Sequence, residues 1–197
     1  YLVPLLLEEQ GLANYILNRL GLPEGPKDLA GWETFVNSIL SAKKAVHIAI
    51  VGKYTHLADS YISHIESFHH AGAALGAKVE LNWVESEEIE KGHGLGVLEK
   101  ADGILIPGGF GDRGIEGKIQ AARIAREKKI PFLGVCLGFQ LATIEFCRTV
   151  LCMEDANSTE FNPRTRHPVV DLLPEQKDVT NMGATMRLGA HKAIVQK

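Results

Sequence analysis

Residues 134–138 read Gly-Val-Cys-Leu-Gly, a single thiol between two glycines at the point where an apolar run changes its period. The stretch before Cys136, "IPFLGV", has the length of a buried strand, and the stretch after it has helical spacing, so the thiol falls on the turn between them. A nucleophile elbow is built this way. The reactive residue occupies a strained strand-to-helix turn, and small neighbours let strand and helix close around it. The thiol would face the N-terminus of a helix beginning near Leu137, whose free amides and dipole favour thiolate over thiol and can hold an oxyanion. A second oxyanion donor is expected from Gly108 or Gly109 in "PGGFG", because a glycine can turn its N–H toward a ligand at little steric cost. For an isolated Gly-x-Cys-x-Gly the competing reading, a packed core cysteine beside helix-packing glycines, is the commoner one.

The elements that must position this turn are legible from Ala45 onward. "AVHIAIVG" reads as a strand and "SYISHIESFHHAGAAL" as a helix with Tyr61, Ile65 and Phe68 on one side. "KVELNWV" reads as an alternating strand, followed by a polar, glycine-containing stretch. "GILIPGGFG" is a short buried strand running into a glycine turn, and "IEGKIQAARIAREKK" a helix with Ile115, Ile119 and Ala122 on one face. Strands alternating with helices predict an α/β fold, an open, mostly parallel sheet with helices on both faces. Ligands bind such sheets at the carboxyl ends of the strands, where "GKYT", "PGGFG" and "GVCLG" all fall. Residues 1–44 differ in character: a Gly/Pro-rich "GLPEGPKDLAG" precedes an amphipathic helix carrying Trp32, Phe35, Val36, Ile39 and Leu40. The expected division is therefore a helical connector over 1–44 and a catalytic domain over 45–197.

Composition narrows the setting. With 197 residues, 45% hydrophobic and 23% charged, the chain can bury the core of one globular domain. A formal net charge of -3 gives no nucleic-acid footprint, and no apolar stretch has the length of a membrane span. Three irregularly spaced cysteines argue against a disulfide framework or a zinc site and fit a reducing, cytoplasmic compartment. The chain starts at Tyr1 rather than Met and reads as cut from something longer.

"PGGFGDRGIEGKIQAARIAREKKIPFLGVCLGFQLA", followed by "DANSTEF" and "GATMRLG", resembles the class I (triad-type) glutamine amidotransferase domain of the CTP synthase family. "GKYT" and the connector's "VPLLLEEQG" match the same family, in order and with compatible spacings. The elbow is shared by all class I glutamine amidotransferases, whose sheet is flavodoxin-like. "PGGFGDRG", "NSTEF" and "MRLG" together are specific to the narrower family. The resemblance implies that Cys136 attacks the side-chain amide of L-glutamine and forms a glutamyl thioester while ammonia leaves. It implies an oxyanion hole from the N–H groups of Gly109 and Leu137, and glutamine contacts from Gly109, Phe110, Leu137, Gln140 and Glu160. Arg113 and Arg187 would belong to a lid responding to GTP, an allosteric activator, and Lys53 would face a synthetase domain. That domain would use ATP and Mg to aminate UTP, in a homotetramer. No metal or other cofactor is expected in the chain itself.

The resemblance also implies a catalytic histidine and an orienting glutamate in a His-Pro-Glu segment, which this chain does not contain. His167 precedes Pro168, but Val169 stands where the glutamate would be. We therefore expect the catalytic pair to lie beyond Lys197. Should a residue already present serve as base, His167 or His191 would be the one. Cys147 and Cys152 read as packing or incidental thiols, the His69–His70 pair as a surface feature, and Glu154 and Asp155 as loop charges. Two other readings remain at this point: a different elbow-cysteine hydrolase or chaperone, which would lack "NSTEF", and a binding module that has lost its triad.

Overall fold

The computed structural model describes residues 1–53, 55 and 58–172. Arg187, His191 and the "GATMRLG" stretch lie outside the described residues. The connector forms three helices, α1 (Val3–Glu9), α2 (Leu12–Leu20) and α3 (Ala30–Ser41). Their apolar faces are mostly exposed; Val36 is the one fully buried position among them. An aromatic cluster ties them to the rest. The Tyr1 ring packs on Trp32, Phe35 and His70, Trp32 Nε1 donates to the Tyr1 carbonyl at 2.9 Å, and the Tyr1 hydroxyl bonds to Glu66.

The sheet contains β1 (Lys44–Gly52), β2 (Ala77–Glu85), β3 (Gly103–Ile106) and β4 (Phe132–Gly134), all parallel, in the order β2-β1-β3-β4. The first connection is a 3-10 turn, Ala58–Tyr61, leading into α4 (Ile62–Leu75). The second uses two short helices, α5 (Ser86–Glu90) and α6 (Leu95–Glu99), and the third is α7 (Ile115–Lys128). The chain steps one way from β1 to β2 and the other way from β2 to β3 and β4. With right-handed crossovers this puts α4 on one face and α5, α6 and α7 on the other. Helices thus cover both faces, as expected from the sequence.

The core follows the strand period. Ala49, Val51, Ile104 and Ile106 point into one cluster with Val84, Ile89, Leu98, Ala121, Ala122 and Ala125. A second cluster joins Ile115 and Ile119 of α7 to Leu137, Leu141 and Ile144 of α8 (Leu137–Thr149). Beyond α8, β5 (Asn157–Ser158) and β6 (Pro168–Val170) form a small parallel ribbon, and Val169, Val170 and Phe161 pack on this second cluster.

The polar stretch after β2, which carried no assignment, forms two helices of five residues each, too few to display a period. One expectation needs correction. The strand before Cys136 is not fully buried: Leu133 is 56% and Val135 38% exposed, because β4 is an edge of the sheet among the described residues.

Candidate active site

The reversal of direction between β1 and β3 creates a crevice beyond their carboxyl ends, where parallel α/β sheets bind ligands. Three segments meet there: Lys53 after β1, Pro107–Gly111 after β3, and Cys136 after β4. Cys136 itself sits at φ 51°, ψ -110°, a backbone conformation that side chains of L-residues rarely adopt. It is exposed, while Cys147 is buried on α8 and Cys152 is exposed in the following loop.

The flanking glycines are sterically required. A Cβ on Gly138 would lie 2.0 Å from the Ile106 carbonyl oxygen, and one on Gly134 would lie 2.6 Å from the Phe139 nitrogen. Strand β3 and the first turn of α8 are therefore in backbone contact. The Val135 N–H donates to Ile106 O at 2.9 Å and the Gln140 N–H to Cys136 O at 3.1 Å, which pins the turn on both sides.

The "PGGFG" turn lies against this elbow. A Cβ on Gly108 would lie 3.4 Å from Cys136 Cβ, and one on Gly109 would lie 3.6 Å from Leu137 Cδ2. Among the described residues the N–H groups of Gly109 and Leu137 donate to nothing. Two unengaged amides thus belong to the two turns that meet at the nucleophile, and an oxyanion hole needs donors of this kind. Phe110 projects from the turn at 86% exposure, Gln140 is half-buried one turn into α8, and Glu160 is exposed on the loop between β5 and β6.

Lys53 is turned inward. Its ammonium donates to the carbonyls of Phe110 (3.0 Å) and Gly111 (3.3 Å), bracing the glycine turn. Burial and the nearby Arg113 hold its pKa below the ordinary lysine value, opposed by Asp112, Glu87 and Glu160. Arg113 pairs with Glu87 at 2.7 Å.

Sequence reasoning missed two features. Lys118, in the first turn of α7, is 1% exposed, and its Nζ would lie 3.9 Å from a Cβ on Gly109. Burial first, and Lys53 second, push its pKa down to about 8, with Glu85 acting the other way. Asp155, read as a loop charge, instead closes the loop that carries Glu160. It accepts from the Arg166 N–H (3.0 Å) and Arg166 Nε (3.1 Å), and its Oδ1 lies 2.5 Å from His167 Nδ1. His167 thus meets Asp155 through Nδ1. Among the described residues no histidine is hydrogen-bonded to Cys136, and no group of three or more metal-ligating side chains is gathered.

Comparison with known proteins decides the family. The model of the family "Glutamine amidotransferase class-I" matches residues 56–197. The chain belongs to the class I glutamine amidotransferases. Among curated relatives it is 54% identical over 199 residues to a CTP synthase from Methanopyrus kandleri, and 54% identical over 196 residues to one from Thermococcus gammatolerans. Each alignment covers 100% of this chain and 37% of the relative, so the chain spans little more than a third of those proteins. A solved Trypanosoma brucei structure, "CTPS - glutaminase domain with bound acivicin", superposes with a TM-score of 0.64 at 42% identity. It covers 68% of this chain and 52% of that one. Among the described residues of this amidotransferase no helix is long and apolar enough to cross a membrane.

Proposed function

We propose that this amidotransferase chain is the glutaminase portion of a CTP synthase, with residues 45–197 as the glutaminase unit and 1–44 as its connector. The observation that carries the reading is the strained elbow of Cys136 with the unengaged amides of Gly109 and Leu137 beside it. The Cys136 thiolate attacks the side-chain amide carbon of L-glutamine, and the carbonyl oxygen becomes an oxyanion received by those two N–H groups. The carbon–nitrogen bond then breaks, ammonia leaves with an added proton, and a glutamyl thioester remains. Water cleaves the thioester to give glutamate and the free thiol. Glu160 offers a carboxylate to the substrate's α-ammonium group, with Gln140 and Phe110 alongside. Proton transfer to the leaving ammonia requires an acid–base residue, and among the described residues no histidine is hydrogen-bonded to Cys136.

The same reading assigns the ammonia to a partner synthetase domain that aminates UTP with ATP and Mg, in a cytoplasmic homotetramer activated by GTP. Arg113, Arg187 and Lys53 are its contacts with the activator or that domain. Identity above half to CTP synthases over the whole chain supports this assignment. The test is glutamine-dependent CTP formation by the full-length protein containing this chain. Cys136→Ser should abolish synthesis from glutamine and leave synthesis from added ammonia intact. Loss of both activities, or of neither, would overturn the assignment.

A further inference from the structure

The glycine turn beside the nucleophile should be conformationally loose. Gly108, Gly109 and Gly111 lack the Cβ that restricts a peptide, and Gly111 already lies at φ 77°. A peptide flip at Gly109 would aim its N–H away from the site and remove an oxyanion donor. Lys53 braces the far end of the turn through the carbonyls of Phe110 and Gly111. Nothing comparable hydrogen-bonds the Gly109 peptide, yet the ammonium of Lys118 lies 3.9 Å from the place a Cβ on Gly109 would take.

That ammonium has an unusual environment. Lys118 is 1% exposed, and among the described residues its ammonium makes no hydrogen bond or ion pair. The elements around it present few charges. Lys53 after β1 repels it. Glu85 at the end of β2 attracts it from beyond ion-pair distance while accepting bonds from Thr55. Helix α8 presents Leu137; on α5, Glu87 is paired with Arg113 and Glu90 accepts from the Gly117 N–H. Burying an ammonium without a partner costs stability, so a merely structural position would be better filled by an apolar side chain.

We propose that Lys118 is a positioning residue of the glutaminase reaction: its buried ammonium, beside Gly109, disfavours the flipped peptide and keeps the Gly109 N–H aimed at the oxyanion. A cation repels the positive end of an N–H dipole and attracts the carbonyl end, so a charge beside Gly109 favours the peptide orientation that turns the N–H away from it. The inference rests on the glutaminase reading above. It adds a pH dependence: the ammonium form predominates at neutrality and is lost as pH rises through about 8.

The experiment compares two reactions of the same thiol. Acylation of Cys136 by the γ-p-nitrophenyl ester of L-glutamate forms a sulfur–carbon bond, passes through an oxyanion and expels p-nitrophenolate. Alkylation by iodoacetamide displaces iodide and forms no oxyanion. Both consume the thiolate, so their rate ratio cancels its ionisation, and Cys136→Ser supplies the background. In the wild type the ratio of acylation to alkylation should fall as pH rises through about 8. In Lys118→Met the ratio at neutral pH should drop by about 10- to 100-fold, less than or comparable to deletion of an oxyanion donor, and should no longer depend on pH. The variant should melt at or above the wild-type temperature. A pH-independent wild-type ratio overturns the inference whether or not the variant folds, as does an unchanged ratio in a folded variant. A wild-type Cys136 that is alkylated but never acylated would instead refute the glutaminase reading, and this inference with it.

Discussion

Replacing Cys136 by glycine should make the protein more stable than replacing it by alanine. At φ 51°, ψ -110° the residue occupies a region that glycine enters freely and that costs any L-side chain about 1–3 kcal/mol. Alanine keeps the Cβ and therefore the strain; glycine removes both. Against this, glycine loses more backbone freedom on folding, worth about 0.5–1 kcal/mol. The difference leaves about 0.5–2 kcal/mol in favour of Cys136→Gly. Because the thiol is exposed, neither substitution opens a buried cavity, and the comparison isolates the backbone. For a chain of this size each kcal/mol moves the melting temperature by about 2–4 °C, so the glycine variant should melt roughly 1–8 °C above the alanine variant. Thermal unfolding of the two proteins, followed by circular dichroism, is sufficient. A glycine variant melting at or below the alanine variant would show that the elbow stores no strain.

Gly138→Ala places a Cβ 2.0 Å from Ile106 O, so α8 must retreat by about 1.4 Å to reach the 3.4 Å of ordinary contact. We expect a loss of about 1–3 kcal/mol by urea unfolding and a fall of about 100-fold in acylation of Cys136. Glu160→Gln should weaken protection of Cys136 by L-glutamine while leaving its alkylation by iodoacetamide unchanged; a parallel fall in both would make Glu160 structural. The His167 ring, and then Arg166, hold the Asp155 carboxyl well below its ordinary value of 3.8. That stabilisation is present above the unfolded value and is lost as pH falls through the folded one. Asp155→Asn should therefore flatten the decline of the urea midpoint below about pH 4, and an unchanged acid limb would contradict the pairing.

The elbow was legible because two signals coincide at Cys136: glycines two residues to either side and a change of hydrophobic period. Both are local. The α7 helix was legible for the same reason, since Ile115, Ile119 and Ala122 recur at helical spacing. Lys118 was not, because a lysine in "EGKIQ" reads as the solvated face of that helix. Only the tertiary arrangement of α7 behind the glycine turn and against α8 encloses it. The Asp155–His167 contact joins residues 12 apart in an irregular loop, where no periodicity links one partner to the other. The contact of Lys53 with the glycine turn was not legible either. The lysine's inward turn depends on the pairing of β1 with β3, which brings Gly111 within its reach.

The central claim is that Cys136 is the thiol built to attack the side-chain carbonyl of glutamine. Peptide mapping after reaction with the γ-p-nitrophenyl ester of L-glutamate tests it most directly, with the protein's three cysteines competing in one sample. The account predicts a glutamyl group on Cys136 well before any appears on Cys152 or Cys147, suppressed by L-glutamine and untouched by D-glutamine. Equal acylation of Cys136 and Cys152, or acylation of Cys136 indifferent to L-glutamine, would contradict it.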